Sequence, residues 1–198
     1  MALWPAASGA AAVRVGNVTG VTVTTNATSG LWTASFAVST GGSVDITPYA
    51  PDVVRVDFHW VGQFATEQIM IDKPVDQWSS FPATLTDSGS HYLIQTSELD
   101  IEIDKTPYKV HFKDKSGFYL LQEDFTEYDD AYNYTGQSGN TTSKLKCRKT
   151  VPSSQAFFGL GEHGGPMNRR GIEMECWNTG TYNWGEYQNP TYLNVPFF

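Results

Sequence analysis

The alternation of apolar and polar residues is the sequence feature that most constrains the fold of this chain. Val54, Val56 and Phe58 recur at every second position, and the same period governs residues 99–104 and 108–113. Successive side chains of a β-strand point to opposite faces, so this period predicts strands with one buried face. The side chains expected to face inward are those of Val54, Val56, Phe58, Leu99, Ile101, Tyr108, Val110 and Phe112. No segment shows the apolar stripe of an amphipathic helix.

Turn residues separate these short segments and predict how the strands connect. Residues 114–117 (DKSG) lie between two alternating runs, which predicts a hairpin. Further strands are expected in VGNVTGVTVTT, LWTASFAV, GSVDIT and EQIMI. Many short strands with turns between them are typical of an antiparallel β-sandwich, so the fold class is all-β, with residues 1–198 as a single domain. We interpret residues 123–143 as the longest loop and its acidic residues as solvated.

Charge and composition exclude several classes of partner. The formal net charge is −8 at pH 7, which disfavours nucleic acid because phosphate binding requires a basic surface. No apolar run is long enough to span a membrane, and the N-terminus lacks the pattern of a signal peptide. Four N-x-[ST] sequons nevertheless favour a secreted or extracytoplasmic protein; they lie at Asn17, Asn26, Asn133 and Asn140. Cys147 and Cys176 could form a disulfide or remain thiols.

The titratable residues predict neither a metal centre nor a catalytic pair. The four histidines are scattered singly, and His59 and His111 fall on polar strand faces, where they are expected to be solvent-facing or hydrogen-bonded. Asp100, Glu102 and Asp104 share one strand face, but we interpret them as solubilising charge rather than as a glycosidase pair. We therefore predict no catalytic residue, no metal and no cofactor in this chain.

Three glycines, Gly159, Gly161 and Gly164, fit the G-x-G-x-x-G spacing of a dinucleotide-binding turn. That turn holds a phosphate only where a strand leads in and a helix leads out. No helical period follows Gly164. We therefore interpret these glycines, with Gly165, as residues that permit tight bends of the backbone.

The last segment, residues 159–195, is rich in loops and carries an aromatic cluster. Within it Trp177, Tyr182, Trp184, Tyr187 and Tyr192 are mixed with amides and hydroxyls. Such a mixture suits sugar rings, which offer C–H faces and hydroxyl edges together. It equally suits packing against a neighbouring domain, and both interpretations stay open at this point.

Four short motifs in order resemble one enzyme family. They are the FGLGE of residues 158–162, the NRRG of 168–171, the WNT of 177–179 and the closing VPFF of 195–198. Together they resemble the end of the N-terminal domain of glycoside hydrolase family 31, the α-glucosidases, α-xylosidases and related transglycosylases. TPYAPDVVRVDF and TPYKVHFKDKSGFYLLQED resemble strands of the same domain.

This resemblance implies a galactose-mutarotase-like β-sandwich that packs on a (β/α)₈ catalytic barrel. It also implies a retaining mechanism on α-linked oligosaccharides, with both catalytic Asp residues on the barrel. A barrel needs roughly 250 residues of alternating strand and helix, and no such pattern begins before Phe198. We therefore expect this chain to be truncated before the barrel and inactive alone. The alternatives are a free-standing carbohydrate-binding module and a purely structural interaction domain.

The resemblance also implies which residues reach the active site. In the family, the loop around WNT extends over the barrel and shapes the substrate subsites. The corresponding candidates for substrate binding are Thr179, Gly180, Thr181, Tyr182 and Trp184. Many relatives have Asp where this chain has Gly180, so the usual hydrogen bond from that position to a sugar is absent here.

Overall fold

The structure is a computed structural model that describes residues 13–59, 77–129 and 144–174, together with Gly180 and Gly185. The described residues contain eleven β-strands and no α-helix. The strands are β1 (Val13–Arg14), β2 (Val18–Thr25), β3 (Trp32–Val38), β4 (Ser43–Ala50), β5 (Val53–His59), β6 (Thr84–Asp87), β7 (His91–Gln95), β8 (Leu99–Lys105), β9 (Tyr108–Asp114), β10 (Tyr119–Asp129) and β11 (Lys144–Thr150). The predicted all-β class is confirmed, while the strand expected at EQIMI lies outside the described residues.

The strands form two antiparallel sheets. One has seven strands in the order β1-β10-β9-β8-β7-β6, with β11 as a further partner of β10 outside this order, and the second has the order β2-β3-β4-β5. Neighbours in sequence are mostly neighbours in space, as short turns dictate. At the predicted hairpin, Asp114 Oδ1 accepts hydrogen bonds from the backbone N–H of Ser116 (2.8 Å) and of Phe118 (3.0 Å).

The buried residues of the two sheets form one hydrophobic core. Phe36, Val44 and Ile46 come from the four-stranded sheet, and Ile94 and Ile101 from the seven-stranded sheet, all fully buried. Burial of one such side chain stabilises the fold by about 1.5–3 kcal/mol. Every side chain predicted to face inward contributes: Leu99, Ile101, Tyr108 and Val110 are buried, while Val54, Val56, Phe58 and Phe112 pack against the cluster half-buried.

The prediction of a loop that begins at residue 123 is wrong, because β10 continues to Asp129. Glu123 is buried rather than solvated: its carboxylate accepts hydrogen bonds from Thr126 Oγ1 (2.6 Å) and Lys149 Nζ (2.7 Å). A β-bulge shifts the register between Glu123 and Phe125 and interrupts the alternation by which a strand is recognised in sequence. Residues 130–143 lie outside the described residues.

The acidic row of β8 is paired across the sheet. Asp100 lies 2.6 Å from Lys115 Nζ, Glu102 lies 2.7 Å from Lys113 Nζ and Asp104 lies 3.2 Å from His111 Nε2. Partial burial acts to raise the pKa of the Glu102 carboxyl, but the hydrogen bond from Lys113 and the electrostatic attraction of Lys113 together outweigh it, so this pKa lies below its ordinary value. These carboxylates therefore hold strands together as well as keeping the face polar.

His59 and His111, the two histidines predicted to lie on polar strand faces, each have a carboxylate within 3.3 Å. His111 is nevertheless buried: the backbone N–H of Glu123 donates to its Nδ1 at 3.1 Å, so Nε2 carries the proton that faces Asp104. His59 Nε2 lies 3.3 Å from Asp45 Oδ2 and is partly exposed. Both imidazoles thus have structural partners.

Candidate functional site

The chain divides into two compact units, residues 1–150 and residues 151–198. The candidate site belongs to the second unit, whose described part contains the glycine-rich segment. Gly159, Leu160 and Gly161 have φ angles of 98°, 69° and 95°, three successive left-handed residues. That conformation costs a non-glycine residue about 1–2 kcal/mol, and the flanking glycines adopt it without that cost.

These angles confirm that Gly159, Gly161 and Gly165 permit bends of the backbone. Gly164 is not left-handed. No helix lies within residues 151–174. The G-x-G-x-x-G spacing therefore lacks the helix N-terminus by which such a motif binds phosphate.

Asn168 and Arg169 hold this bent segment together through backbone groups. Asn168 Oδ1 accepts hydrogen bonds from the backbone N–H groups of Phe157 and Arg170, both at 3.1 Å. The Arg169 guanidinium donates to the carbonyl oxygens of Gly164 (2.6 Å) and His163 (2.9 Å). Carbonyl groups in a loop without regular hydrogen bonding are thereby satisfied.

Arg170 serves the start of the same unit. Its Nη1 donates to the carbonyl oxygens of Pro152 (2.9 Å) and Gln155 (2.8 Å). The side chains of the NRRG motif, which the sequence identifies only by its resemblance to a family, therefore form hydrogen bonds to the backbone. Its residues shape the segment that leads towards the predicted site and contribute architecture rather than chemistry.

Two buried polar atoms of this segment have no hydrogen-bond partner. His163 donates from Nε2 to the carbonyl oxygen of Leu160 (2.9 Å), so its Nδ1 is an acceptor, and this atom is unpaired. Arg169 Nε is buried and unpaired as well. Both atoms are therefore buried polar groups that the described residues leave unsatisfied.

Of the five predicted substrate-binding residues, Gly180 is described. It is exposed, its φ is not left-handed, and a Cβ added to it meets no atom of the described residues within 4 Å. A turn with positive φ therefore does not explain glycine at this position, and the backbone accepts a side chain. Thr179, Thr181, Tyr182 and Trp184 lie outside the described residues, so their role stays a prediction.

The described part of the first unit contains a small cavity in its core. The cavity lined by Val15, Val38, Val44, Phe58 and His59 has a volume of about 10 Å³, which is room for one water molecule. Across the described ranges, no group of three or more His, Cys, Asp or Glu residues could hold a metal ion. In that part of the chain, no helix has the length and apolarity to cross a membrane.

The remaining buried group of interest is a hydroxyl in the core. Tyr108 O–H has no hydrogen-bond partner. Burial, with smaller contributions from Glu123 and Cys147, raises the pKa of Tyr108 well above its ordinary value. Cys147 is an exposed free thiol, and Cys176 lies outside the described residues. The phenol therefore stays neutral in the folded protein and packs as part of the core.

The described residues thus form two antiparallel β-sheets around one core and, in the second unit, a bent glycine-rich segment. The family model described as "Glycosyl hydrolase 31 N-terminal galactose mutarotase-like domain" matches residues 43–198. The chain belongs to that family. The resemblance drawn from its four motifs is thus confirmed.

Known relatives agree with this assignment. The chain is 26% identical over 160 residues to alpha-glucosidase 2 of Bacillus thermoamyloliquefaciens and 28% identical over 121 residues to the isomaltosyltransferase of Sporosarcina globispora. These matches cover 79% and 58% of this chain but 19% and 10% of the relatives. The chain therefore spans about a fifth or less of the length of these proteins.

Solved structures show the same fold. The dextranase of Flavobacterium johnsoniae, in a complex with isomaltotriose, superposes with a TM-score of 0.72 at 25% identity, covering 93% of this chain and 21% of that one. The cycloalternan-forming enzyme of Listeria monocytogenes, in a complex with a pentasaccharide substrate, superposes with a TM-score of 0.57 at 18% identity. That match covers 85% of this chain and 15% of that one.

Proposed function

We propose that this chain is the N-terminal domain of a retaining α-glycoside-processing enzyme of the α-glucosidase or α-glucosyltransferase type. The observation that carries the proposal is the family match over residues 43–198. In this function the domain packs on a (β/α)₈ catalytic domain of the same enzyme. The loop of residues 179–184 shapes the subsites for an α-linked oligosaccharide.

The geometry of Gly180 supports a role in substrate selection. A carboxylate at this position would accept hydrogen bonds from a sugar hydroxyl, each worth about 1.5–3 kcal/mol. Glycine offers none and leaves open space at an exposed point of the backbone. Substrate binding in this enzyme therefore relies on neighbours such as Thr181, Tyr182 and Trp184, and the open space admits a bulkier acceptor sugar.

The test is the Gly180→Asp variant of the whole enzyme, with Gly185→Asp as a matched control. Both glycines are exposed, neither is left-handed, and a Cβ has open space at each. We expect Gly180→Asp to change the ratio of kcat/KM between a disaccharide and longer α-linked oligosaccharides by about ten- to a hundredfold, as one charge-assisted hydrogen bond would. Thermal stability should stay nearly constant. Unchanged kcat/KM ratios would show that the loop of residues 179–184 does not line the substrate-binding site.

An activity assay of the 198-residue chain on its own tests whether catalysis requires the proposed catalytic domain. Both carboxylates of a retaining glycosidase are proposed to lie in the catalytic domain, so this chain should release no sugar from an aryl α-glycoside. Tight oligosaccharide binding by the chain alone would instead favour a free-standing carbohydrate-binding module. Turnover by the purified chain, with contaminating enzyme excluded, would contradict the proposal.

A further inference from the structure

The two compact units of the chain are joined by an exposed turn of residues 152–155, the junction turn. The first unit ends with β11 at Thr150, and the second begins at Val151. The residues of the junction turn are exposed and belong to no strand. The backbone N–H of Gln155 donates to the carbonyl oxygen of Pro152 at 3.0 Å, which closes the turn. Relative motion is the default expectation at such a boundary, so the contacts that hold this turn matter for the second unit.

Arg170 binds both ends of the junction turn. Its Nη1 lies 2.9 Å from the carbonyl oxygen of Pro152 and 2.8 Å from that of Gln155. One nitrogen with two hydrogens therefore bridges the first and last residues of the turn. The Pro152 carbonyl accepts both this hydrogen bond and the one from Gln155, so both of its lone pairs are used. Hydrogen bonds from a guanidinium are charge-assisted and stronger than those between neutral groups.

Arg170 itself stands at the end of a loop that is closed on itself, residues 157–170. The backbone N–H of Arg169 donates to the carbonyl oxygen of Phe157 at 2.8 Å. Asn168 Oδ1 accepts hydrogen bonds from the N–H groups of Phe157 and Arg170. These bonds join the two ends of the closed loop, as in an Ω-loop. Asn168 and Arg169 thus act within the closed loop, whereas the Arg170 side chain reaches outside it to the junction turn.

We propose that Arg170 is the clamp of a hinge at the start of the second unit. It fixes the junction turn to the closed loop, so the backbone does not bend freely where the second unit begins. Both the turn and Arg170 are exposed, so water competes for the same carbonyl groups and the clamp opens reversibly. Hinges are short segments whose backbone angles absorb a change of orientation, and the junction turn is a segment of this kind.

The clamp gives Arg170 a part in substrate binding, and this part rests on the function proposed above. The predicted substrate-binding loop of residues 179–184 follows Arg170 in the same unit. Groups that bind a substrate act well only when their support holds them within about 0.5 Å of the productive geometry. Arg170 is therefore a positioning residue for oligosaccharide binding, and it acts through the junction turn.

Limited proteolysis of the 198-residue chain with proteinase K, followed by mass spectrometry of the fragments, tests the clamp. Arg170→Met keeps a long side chain but removes its donors. It should accelerate cleavage within the junction turn about three- to tenfold, because cleavage follows the population of the open form. Arg170→Lys keeps a donor with three hydrogens and should recover part of the protection. Arg148→Met is the matched control, because Arg148 is an exposed arginine of β11 paired with Asp124, and its loss should leave this cleavage unchanged.

The positions of the cuts distinguish an open hinge from an unfolded unit. Cuts confined to the junction turn support the proposal. Cuts spread through the closed loop in Arg170→Met would overturn it, because Arg170 would then be needed to keep the second unit folded. An unchanged rate of cleavage in this variant would overturn it as well.

Kinetics of the whole enzyme test the effect on substrate. We expect Arg170→Met to raise KM for an α-linked oligosaccharide about three- to tenfold and to change kcat by less than about twofold, as the loss of binding alone would. Faster cleavage with an unchanged KM would overturn the positioning role, and the Gly180→Asp variant then decides whether the loop of residues 179–184 binds substrate. If Gly180→Asp changes the kcat/KM ratios while Arg170→Met changes neither KM nor cleavage, the proposed function stands and the clamp is overturned.

Discussion

Replacement of the buried carboxylate of Glu123 is the sharpest test of the fold described above. This side chain is fully buried in β10 and joins that strand to β11 through Lys149, and to the residue beyond the bulge through Thr126. Glu123→Gln keeps the shape but removes the charge, so Lys149 loses its ionic partner. Sequence alone places Glu123 in a solvated loop, where the same change would have almost no effect.

The magnitude follows from the two hydrogen bonds. A hydrogen bond to a charged group contributes about 1.5–3 kcal/mol, and the amide of glutamine can keep the one from Thr126. Lys149 is 25% exposed, so solvent screens part of the lost attraction. We expect Glu123→Gln to lower the free energy of unfolding by about 1–2 kcal/mol, and Glu123→Ala by about 3 kcal/mol because it also leaves both donors unpaired.

Urea denaturation followed by circular dichroism measures this loss, and the next residue is its control. Asp124 forms an exposed ion pair with Arg148 at 3.2 Å, with 40% of the Asp124 side chain accessible. Exposed pairs contribute about 0–1 kcal/mol, so Asp124→Asn should change the free energy of unfolding far less than Glu123→Gln does. Equal effects of the two substitutions would refute the assignment of Glu123 to the buried face of β10.

Two further predictions concern the core and the hairpin. Ile101→Ala removes a fully buried side chain and should cost about 2–5 kcal/mol in thermal or urea unfolding. Met167→Ala, at a residue that is 80% exposed, should change the free energy of unfolding by less than about 0.5 kcal/mol. Similar losses of stability in the two variants would contradict the burial of Ile101. At the hairpin, the hydrogen bond from the Ser116 hydroxyl, then that from the Phe118 N–H, lower the pKa of Asp114. Its stabilisation is therefore present above the unfolded-state pKa and lost as pH falls through the folded-state pKa. Asp114→Asn should therefore lower the free energy of unfolding at neutral pH, and the difference from the wild type should shrink in acid. A difference in stability that grows in acid would contradict this prediction.

Gly180 is a candidate because of a family resemblance, and the structure adds that its backbone needs no glycine. The function of the NRRG motif could not be derived from spacing alone. The acceptors of Arg169 and Arg170 are backbone carbonyls up to eighteen residues away, and only the folded loop brings them together.

The sequence by itself determined the strands that alternate without interruption. Ile101 and Val110 are predicted to face inward and do so, because period two is a local property of an extended backbone. The tertiary structure alone decided the burial of Glu123 and His111. A bulge breaks the alternation at Glu123, and the partner of its charge, Lys149, is twenty-six residues away in the chain. Whether a polar side chain is solvated or enclosed depends on what lies across the sheet, and the pairing of strands distant in sequence sets that neighbour.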